Sequence, residues 1–219
     1  MINQQKKQGY FIVLEGIDGA GSTTQAELLQ QYFITKGQKV VISPEPSSGK
    51  IGKLLREFLA HQNHFSNQDL FDQQMAYLFA ADRHYHLYNN IDGVQKLIQE
   101  NTHVITTRYY FSSLAYNAKT EKDFQFVSLL NQDFPPPHFL IYLDIPVDIA
   151  LSRIKNRNTL EIYENQEKLT LVKDNFEKIL NKYKHPYLRI DATKMREKIQ
   201  EKIVDFVMSE KHFNDNFQH

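Results

Sequence analysis

The 219-residue chain contains no cysteine. It therefore cannot form a disulfide, and no thiolate is available as a nucleophile or as a metal ligand. This composition fits a protein of the reducing cytoplasm. Nine histidines are present, but they are scattered and no pair among them supports a zinc site. We expect neither thiol chemistry nor a zinc centre.

The sequence also lacks an excess of either charge and lacks a long apolar run. Its 26 basic residues balance 26 acidic ones, so no overall field attracts DNA, RNA or an anionic membrane. No apolar run approaches the roughly 20 residues that cross a bilayer, and the first ten residues lack the apolar core of a signal peptide. We expect no nucleic-acid or membrane partner and a cytoplasmic location. Any phosphate site must be built locally.

Glycine is scarce as well, with eight residues, yet three of them lie between positions 16 and 21. They belong to the stretch YFIVLEGIDGAGSTTQ, in which an apolar strand runs into a glycine-rich turn and then into a helix. The amides of such a turn point inward, and the helix N-terminus adds free N–H groups and a positive dipole end. The stretch predicts a cradle for the phosphates of ATP, formed by Gly16, Ile17, Asp18, Gly19, Ala20, Gly21, Ser22, Thr23 and Thr24.

The spacing G-x-x-x-x-G-K-[ST] of a P-loop fits this stretch at every defining position except one. Gly16 and Gly21 hold the glycine places, and Thr23 holds the place of the hydroxyl that ligates Mg²⁺. Ser22 stands where the motif has lysine, and a serine is neutral and too short to reach the β- and γ-phosphates. Either another cation replaces the lysine, or the site binds nucleotide without efficient catalysis.

Strand-like and helix-like segments alternate along the chain. The apolar runs that predict buried strands are about Tyr10–Glu15, Lys39–Ser43, Thr102–Thr107, His138–Leu143 and Tyr187–Ile190. This alternation predicts an α/β fold of three layers, a P-loop NTPase fold with a five-stranded parallel sheet covered by helices on both faces. We expect a single domain over residues 1–219, with a charge-rich lid at about 153–167 and frayed tails at 1–9 and 211–219.

Two groups of residues are candidates for binding a second substrate. Phe79 and Arg83 lie four apart on a predicted helix, so a ring that can stack on a base shares a face with donors for the carbonyl edge of that base. A core aromatic beside a surface arginine is the alternative. Arg108 follows a predicted strand, beside the phosphate cradle, and can grip a second phosphate. The residues that follow it are Ser112, Ser113 and Tyr116.

Charged residues on two other segments are candidates as well. Glu45 lies on the loop after the second strand, where it could hold Mg²⁺ through water or bind a sugar hydroxyl, or could be an ordinary loop carboxylate. Arg153, Lys155 and Arg157 lead into the predicted lid, and a cationic lid can stabilise the charge that spreads over a transferring phosphoryl group.

Five ordered segments of the chain resemble the thymidylate kinase family. They are FIVLEGIDGAGSTTQ, the Glu45-Pro46 pair with Ile51-Gly52, LFAADR at 78–83, RYYFSSLAY at 108–116, and LDIP at 143–146 with Arg153 and Arg157 beyond. The resemblance implies transfer of the γ-phosphoryl group of ATP to dTMP with Mg²⁺, in nucleotide biosynthesis, by a protein that forms a homodimer through helices.

The resemblance also implies a role for each candidate. Phe79 would stack on thymine, Arg83 would reach its carbonyl, and Arg108 would hold the dTMP phosphate. Tyr116 would pack beneath the deoxyribose and Ser113 near the base edge. The catalytic residues would be Asp18, Arg108 and the lid residues Arg153 and Arg157, and the residues near magnesium would be Asp18, Thr23 and Glu45.

The chain departs from the family pattern at charged positions. Ser22 replaces the P-loop lysine, Thr107 replaces the acid that usually precedes Arg108, and Pro44 replaces an arginine before Glu45. Ile162 stands where many lids carry a further arginine. Losing one preorganised charge at a transition state costs about 3–4 kcal/mol. Three hypotheses therefore remain: an active divergent thymidylate kinase, a nucleotide-binding relative with weak catalysis, and a kinase for another deoxynucleoside monophosphate.

Overall fold

The computed structural model describes residues 8–60, 67–155 and 166–209. Within these ranges five strands alternate with nine helices. The strands are β1 (Phe11–Glu15), β2 (Val40–Ile42), β3 (His103–Thr107), β4 (Phe139–Asp144) and β5 (Tyr187–Asp191). The helices are α1 (Ser22–Thr35), α2 (Lys50–Ala60), α3 (Gln68–Tyr88), α4 (Val94–Gln99), α5 (Tyr110–Asn117), α6 (Glu121–Asn131), α7 (Val147–Lys155), α8 (Gln166–Lys182) and α9 (Arg196–Met208).

The strands form one parallel sheet in the order β2-β3-β1-β4-β5. The central strand β1 is buried along its whole length, which is why it reads as an uninterrupted apolar run up to Glu15. The helices form two groups: α1 packs against α9, and α5 packs against both α3 and α8. The predicted three-layer α/β fold with a five-stranded parallel sheet is confirmed.

The helical pattern between residues 67 and 100 forms two helices rather than one. Asn67 caps the start of α3 by accepting a hydrogen bond from the amide of Leu70, and α3 ends at Tyr88. Asn89 then accepts from the amides of Ile91 and Asp92, which turns the chain before α4 begins at Val94. Apolar side chains at helical spacing from Asn67 to about Glu100 predict a helix with a bend near Asn89–Gly93, and the break between α3 and α4 lies there.

Gly9 does not belong to a frayed tail, as the sequence predicted for residues 1–9, while residues 1–7 and the predicted tail at 211–219 lie outside the described residues. Gly9 is buried, and its amide donates to the carbonyl oxygen of Ile98 at 2.9 Å. A Cβ at this position would lie 2.0 Å from the carbonyl oxygen of Thr102, so only glycine allows the two chain segments to approach this closely. Nothing among the described helices is both long and apolar enough to span a bilayer.

Backbone contacts at the carboxyl edge of the sheet bring its loops together. The amide of Arg108, after β3, donates to the carbonyl oxygen of Leu14 at 3.0 Å. The amide of Glu45, after β2, donates to the carbonyl oxygen of Thr107 at 3.2 Å. Because parallel strands all end at this edge, the loops after β1, β2 and β3 share one side of the molecule, where open α/β sheets bind ligands.

Candidate active site

The loop between β1 and α1 has the backbone conformation of a phosphate cradle. Gly19 and Gly21 adopt φ values of 83° and 97°, which favour glycine. A Cβ at Gly19 would lie 2.5 Å from the carbonyl oxygen of Ala150, so a side chain there would push the loop away from α7. No side chain caps the N-terminus of α1, which leaves its first amides available to an anion.

A cavity of about 310 Å³ opens at this loop. Six of the predicted cradle residues line it: Ile17, Asp18, Gly19, Gly21, Ser22 and Thr23. Gly16, Ala20 and Thr24 do not line the cavity, and the amide of Ala20 instead closes the turn on the carbonyl oxygen of Ile17 at 3.0 Å. All seven predicted substrate-binding residues also line it: Glu45, Phe79, Arg83, Arg108, Ser112, Ser113 and Tyr116. The structure therefore brings the two predicted sets into one cavity.

Arg83 is buried at 1% exposure and is held on three sides. Its Nε donates to Glu45 Oε2 at 2.9 Å, its second terminal nitrogen donates to Ser113 Oγ at 3.0 Å, and its first contacts the side-chain oxygen of Asn131. A buried guanidinium keeps its charge only when it is paired and hydrogen-bonded in this way. The alternative of a surface arginine beside a core aromatic is therefore wrong, since Arg83 faces the cavity with the half-buried Phe79.

Glu45 uses both carboxylate oxygens within this network. Oε2 lies 2.7 Å from a terminal nitrogen of Arg83, and Oε1 lies 3.2 Å from His86 Nδ1. His86 in turn contacts the residue that follows β2, because its Nε2 lies 2.8 Å from Ser43 Oγ. In this arrangement Glu45 orients Arg83. The geometry lends no support to a metal role for Glu45, which stays a prediction.

Arg108 lies directly after β3 with a left-handed backbone, φ 70°. Such a conformation is costly for a residue with a side chain and is common where a functional group must be aimed. The guanidinium ion-pairs with Asp18, donates to Ser112 Oγ at 3.2 Å and lies over the ring of Tyr116. Burial is the largest single effect on the pKa of Arg108 and lowers it, but Asp18, Tyr116 and Glu15 together outweigh burial, so the pKa is raised and the side chain stays cationic.

Asp18 joins the phosphate loop to α5. Its Oδ2 accepts from the hydroxyl of Tyr116 at 2.8 Å, while its own amide donates to the same hydroxyl at 3.0 Å. Burial raises the pKa of Tyr116 well above its ordinary value, so the phenol remains a donor at neutral pH. Movement of the phosphate loop is thus coupled to the wall of the cavity that Tyr116 forms.

Of the predicted lid cations, Arg153 and Lys155 lie within the described residues, and neither lines the cavity. Arg153 donates to the carbonyl oxygens of Ala192, at 3.0 Å, and Gly19, at 3.4 Å, so it links the phosphate loop to the end of β5. Lys155 ends α7 and is exposed. Arg157, Ile162 and most of the predicted lid at 153–167 lie outside the described residues. The catalytic roles of Arg153 and Arg157 stay predictions.

Sequence reasoning missed Asn117, which lines the cavity at 5% exposure. Neither its Oδ1 nor its Nδ2 has a hydrogen-bond partner among the described residues. A buried amide without partners is costly, and it can be satisfied by a ligand that offers one acceptor and one donor. The signal was present, because Asn117 lies four residues after Ser113 on the same helical face. No spacing in the sequence indicated the contact of Asn131 with Arg83.

The side chains near the loop suit magnesium better than a transition metal. Among the described residues no cluster of three histidine, cysteine, aspartate or glutamate side chains could hold a metal alone. Magnesium typically takes one or two protein oxygens and completes its shell with waters and substrate phosphates. The exposed hydroxyl of Thr23 and the carboxylate of Asp18, both in the cavity wall, fit that donor set.

Comparison with known proteins finds the same family over most of the chain. The family model described as thymidylate kinase matches residues 14–203. A "Probable thymidylate kinase" from Pyrococcus horikoshii is 38% identical over 208 residues, covering 93% of this chain and 98% of that protein. One from Methanococcus aeolicus is 34% identical over 206 residues, covering 92% of this chain and 97% of that protein.

A solved structure shares the fold at lower sequence identity. It is the thymidylate kinase of Candida albicans, described as revealing the origin of broad substrate specificity and a novel structural element. Its TM-score is 0.75 at 24% identity, and the match covers 94% of this chain and 93% of that one.

Proposed function

Because the chain belongs to the thymidylate kinase family and is a nucleoside monophosphate kinase, we propose that its cavity transfers the γ-phosphoryl group of ATP to dTMP, giving dTDP and ADP. One observation supports this assignment of the site: two sets of residues line the same cavity. The first is the phosphate loop with Gly19 and Gly21, and the second is the acceptor set of Phe79, Arg83 and Arg108. The first suits a polyphosphate donor, and the second suits a base that bears one phosphate.

On the acceptor side, the ring of Phe79 stacks on thymine while Arg83 donates to a carbonyl of its edge. Ser113, which accepts from Arg83, and the unpartnered amide of Asn117 also line the cavity and complete the reading of the base. Arg108 holds the dTMP phosphate with Ser112 next to it. Tyr116 packs against the sugar. Support comes from the burial and pairing of Arg83, which give its donors a fixed direction.

On the donor side, the amides of the phosphate loop and of the first turn of α1 bind the β- and γ-phosphates. Thr23 and Asp18 would hold Mg²⁺, which when bound neutralises charge on the donor phosphates. Ser22 adds a hydroxyl but no charge. Arg153 and Arg157 are proposed to supply cationic charge from the lid. The support for a role of Arg153 at the donor phosphates is its contact with the carbonyl oxygen of Gly19 in the phosphate loop.

A coupled assay of ADP formation across nucleoside monophosphates tests the proposal. We expect dTMP to give the highest kcat/KM among dTMP, dUMP, dCMP, dGMP and dAMP, with dependence on Mg²⁺. A different best acceptor would contradict the substrate assignment. Turnover no faster than the blank, with ATP and dTMP still raising the melting temperature, would show a binding protein instead.

We also propose that two copies of the chain pair through α3 and α6, in the cytoplasm. Five large apolar side chains on these helices are exposed: Leu70 at 50%, Tyr77 at 54%, Tyr85 at 43%, Tyr88 at 44% and Leu129 at 63%. Tyr77 and Phe126 contact each other at 5.1 Å between ring centroids, which joins the two helices into one face.

Light scattering should give twice the chain mass, and Leu129→Glu should give the monomer. Met195→Glu, equally exposed but before α9, is the control and should stay dimeric.

A further inference from the structure

The N-terminus of α5 has no side-chain cap of its own. Its N-cap residue is Tyr109, and yet the amides of Tyr109 and Ser112 are both satisfied, because they donate to Glu15 Oε1 at 2.7 and 3.2 Å. A carboxylate at a helix N-terminus satisfies free amides and complements the helix dipole. Glu15 thus caps α5 from another element, the last position of the central strand β1.

The second oxygen of Glu15 extends this contact to Arg108. Glu15 Oε2 accepts a hydrogen bond from Ser112 Oγ at 2.6 Å. Since the hydroxyl hydrogen of Ser112 is directed at Glu15, the oxygen of that hydroxyl is free to accept from Arg108, which donates to it at 3.2 Å. The carboxylate of Glu15 therefore determines the direction of the Ser112 O–H bond. It thereby leaves the oxygen of that hydroxyl available to accept the hydrogen bond from Arg108.

Glu15 occupies this position at a cost in solvation. The side chain is 1% exposed, and burial raises its pKa to about 7, against the opposing effects of the Ser112 hydrogen bond and the charge of Arg108. A glutamine would fill the same space and accept the same amides without a buried charge. The ionised acid differs from the amide in one respect that matters here: both of its oxygens accept, so the Ser112 hydroxyl must donate to it.

Glu15 does not line the cavity and so does not meet substrate. Arg108, which does, has a left-handed backbone that its surroundings must stabilise. We propose that Glu15 is the positioning residue of the acceptor-phosphate site: it acts through Ser112 and the N-terminus of α5 to hold Arg108 in the orientation that grips the phosphate of the nucleoside monophosphate. This inference rests on the proposed function of Arg108.

Glu15→Gln keeps the size of the side chain and can turn its NH₂ group toward Ser112. The Ser112 hydroxyl then accepts from residue 15 and directs its hydrogen elsewhere, which weakens its bond with Arg108. We expect KM for dTMP to rise about tenfold, the effect of losing one hydrogen bond to a charged group, while KM for ATP changes less than twofold. A residue that only stabilised the fold would not separate the two constants.

A double-mutant cycle separates action through Ser112 from direct action. Ser112→Ala should raise KM for dTMP, and adding Glu15→Gln to it should raise KM no further. Asp144→Asn is the matched control, an acid at the end of the neighbouring strand β4 that pairs with Lys173 and Arg189 and does not line the cavity. It should lower stability without changing KM for dTMP. If Glu15→Gln does not fold, Glu15→Asp replaces it, since it keeps the charge and shortens the reach to Ser112.

Two results would overturn the inference while leaving the proposed function intact. One is a parent enzyme that phosphorylates dTMP together with a Glu15 variant whose KM for dTMP is unchanged or rises equally with KM for ATP. The other is additive effects of Glu15→Gln and Ser112→Ala. A parent enzyme without dTMP turnover would instead refute the proposed function, which distinguishes the two failures.

Discussion

The hydroxyl of Tyr116 donates to Asp18 at 2.8 Å and accepts from the amide of the same residue at 3.0 Å. One phenol therefore fixes both the side chain and the backbone of the phosphate loop at Asp18. It does so from α5, the helix that also carries Ser112 and Ser113. The acceptor wall and the donor loop are therefore joined at this hydroxyl, and a substitution that removes it should affect both.

Tyr116→Phe removes this link and keeps the ring. We expect kcat/KM for dTMP to fall about tenfold, because Asp18 and Arg108 each lose a neutral hydrogen-bond partner. Steady-state kinetics with dTMP varied at saturating ATP measures it. Tyr187→Phe, on β5 and away from the cavity, is the control and should match the parent. Equal activity of both variants would show that the Tyr116 hydroxyl has no part in binding.

Glu45→Gln leaves the buried guanidinium of Arg83 without its charge partner. Both side chains are at most 2% exposed, so we expect a loss of about 3 kcal/mol in the free energy of unfolding and a higher KM for dTMP. Urea unfolding measures the first and kinetics the second. Glu177→Gln breaks an ion pair with Arg189 in which both partners are over a third exposed, and it should cost less than about 1 kcal/mol. Similar losses for the two variants would contradict the importance of the buried pair.

Two histidines, the buried His103 and the half-buried His138, should make stability fall as pH is lowered. His103 and His138 accept hydrogen bonds at Nδ1 from the amides of Tyr10 and Phe11, at 2.9 and 3.0 Å. Burial lowers the pKa of each to about 4. In the unfolded chain the value is about 6.5, so below that pH the unfolded state binds more protons and is favoured. Above it the two histidines contribute nothing to the slope.

The comparison must be made between variants, because Glu15 acts in the opposite direction. Its pKa is raised to about 7, so its contribution to stability is lost as pH rises toward that value. Both proteins retain Glu15, and its effect cancels in the difference. The full linkage value is reduced because the two imidazoles are partly screened by solvent, so from pH 6.5 to 4 the parent should lose about 1 kcal/mol per histidine more than the double variant His103→Asn, His138→Asn. Urea unfolding at both pH values measures this. A variant of the exposed His185 should leave the slope unchanged, and parallel curves for all proteins would refute the prediction.

Ser22→Lys should raise turnover, because the lid cations proposed above supply only part of the charge that a lysine at position 22 would bring. Among the described residues that line the cavity, the cations are Arg83 and Arg108, and both are engaged on the acceptor side. A lysine at position 22 would bring charge to the donor phosphates, and we expect kcat at saturating ATP to rise about tenfold. The control is Ser152→Lys, which adds the same charge at an exposed position on α7. An unchanged or lower kcat would mean that a lid cation already fills this role, in which case Arg157→Ala or Arg153→Ala should abolish turnover.

The sequence by itself determined the order of strands and helices, the position of the phosphate loop, and the helical faces that carry Phe79 with Arg83 and Ser112 with Tyr116. These features follow from local rules, since apolar periodicity and glycine spacing act within a few residues. Only the tertiary structure decided what each charged group pairs with. Glu45 and Arg83 are 38 residues apart, and Arg83 and Asn131 are 48 apart, so their contacts arise from packing between elements.

The same holds for the conformations that packing imposes. The left-handed backbone of Arg108 carries no mark in the sequence, because neither arginine nor its neighbours prefer that conformation. The capping of α5 by Glu15 is likewise invisible, since a glutamate that ends an apolar strand reads locally as a surface residue. Local conformational preferences of the sequence determined the helices and strands of this kinase. The pairing of buried charges between these elements determined the orientation of the side chains in its acceptor site.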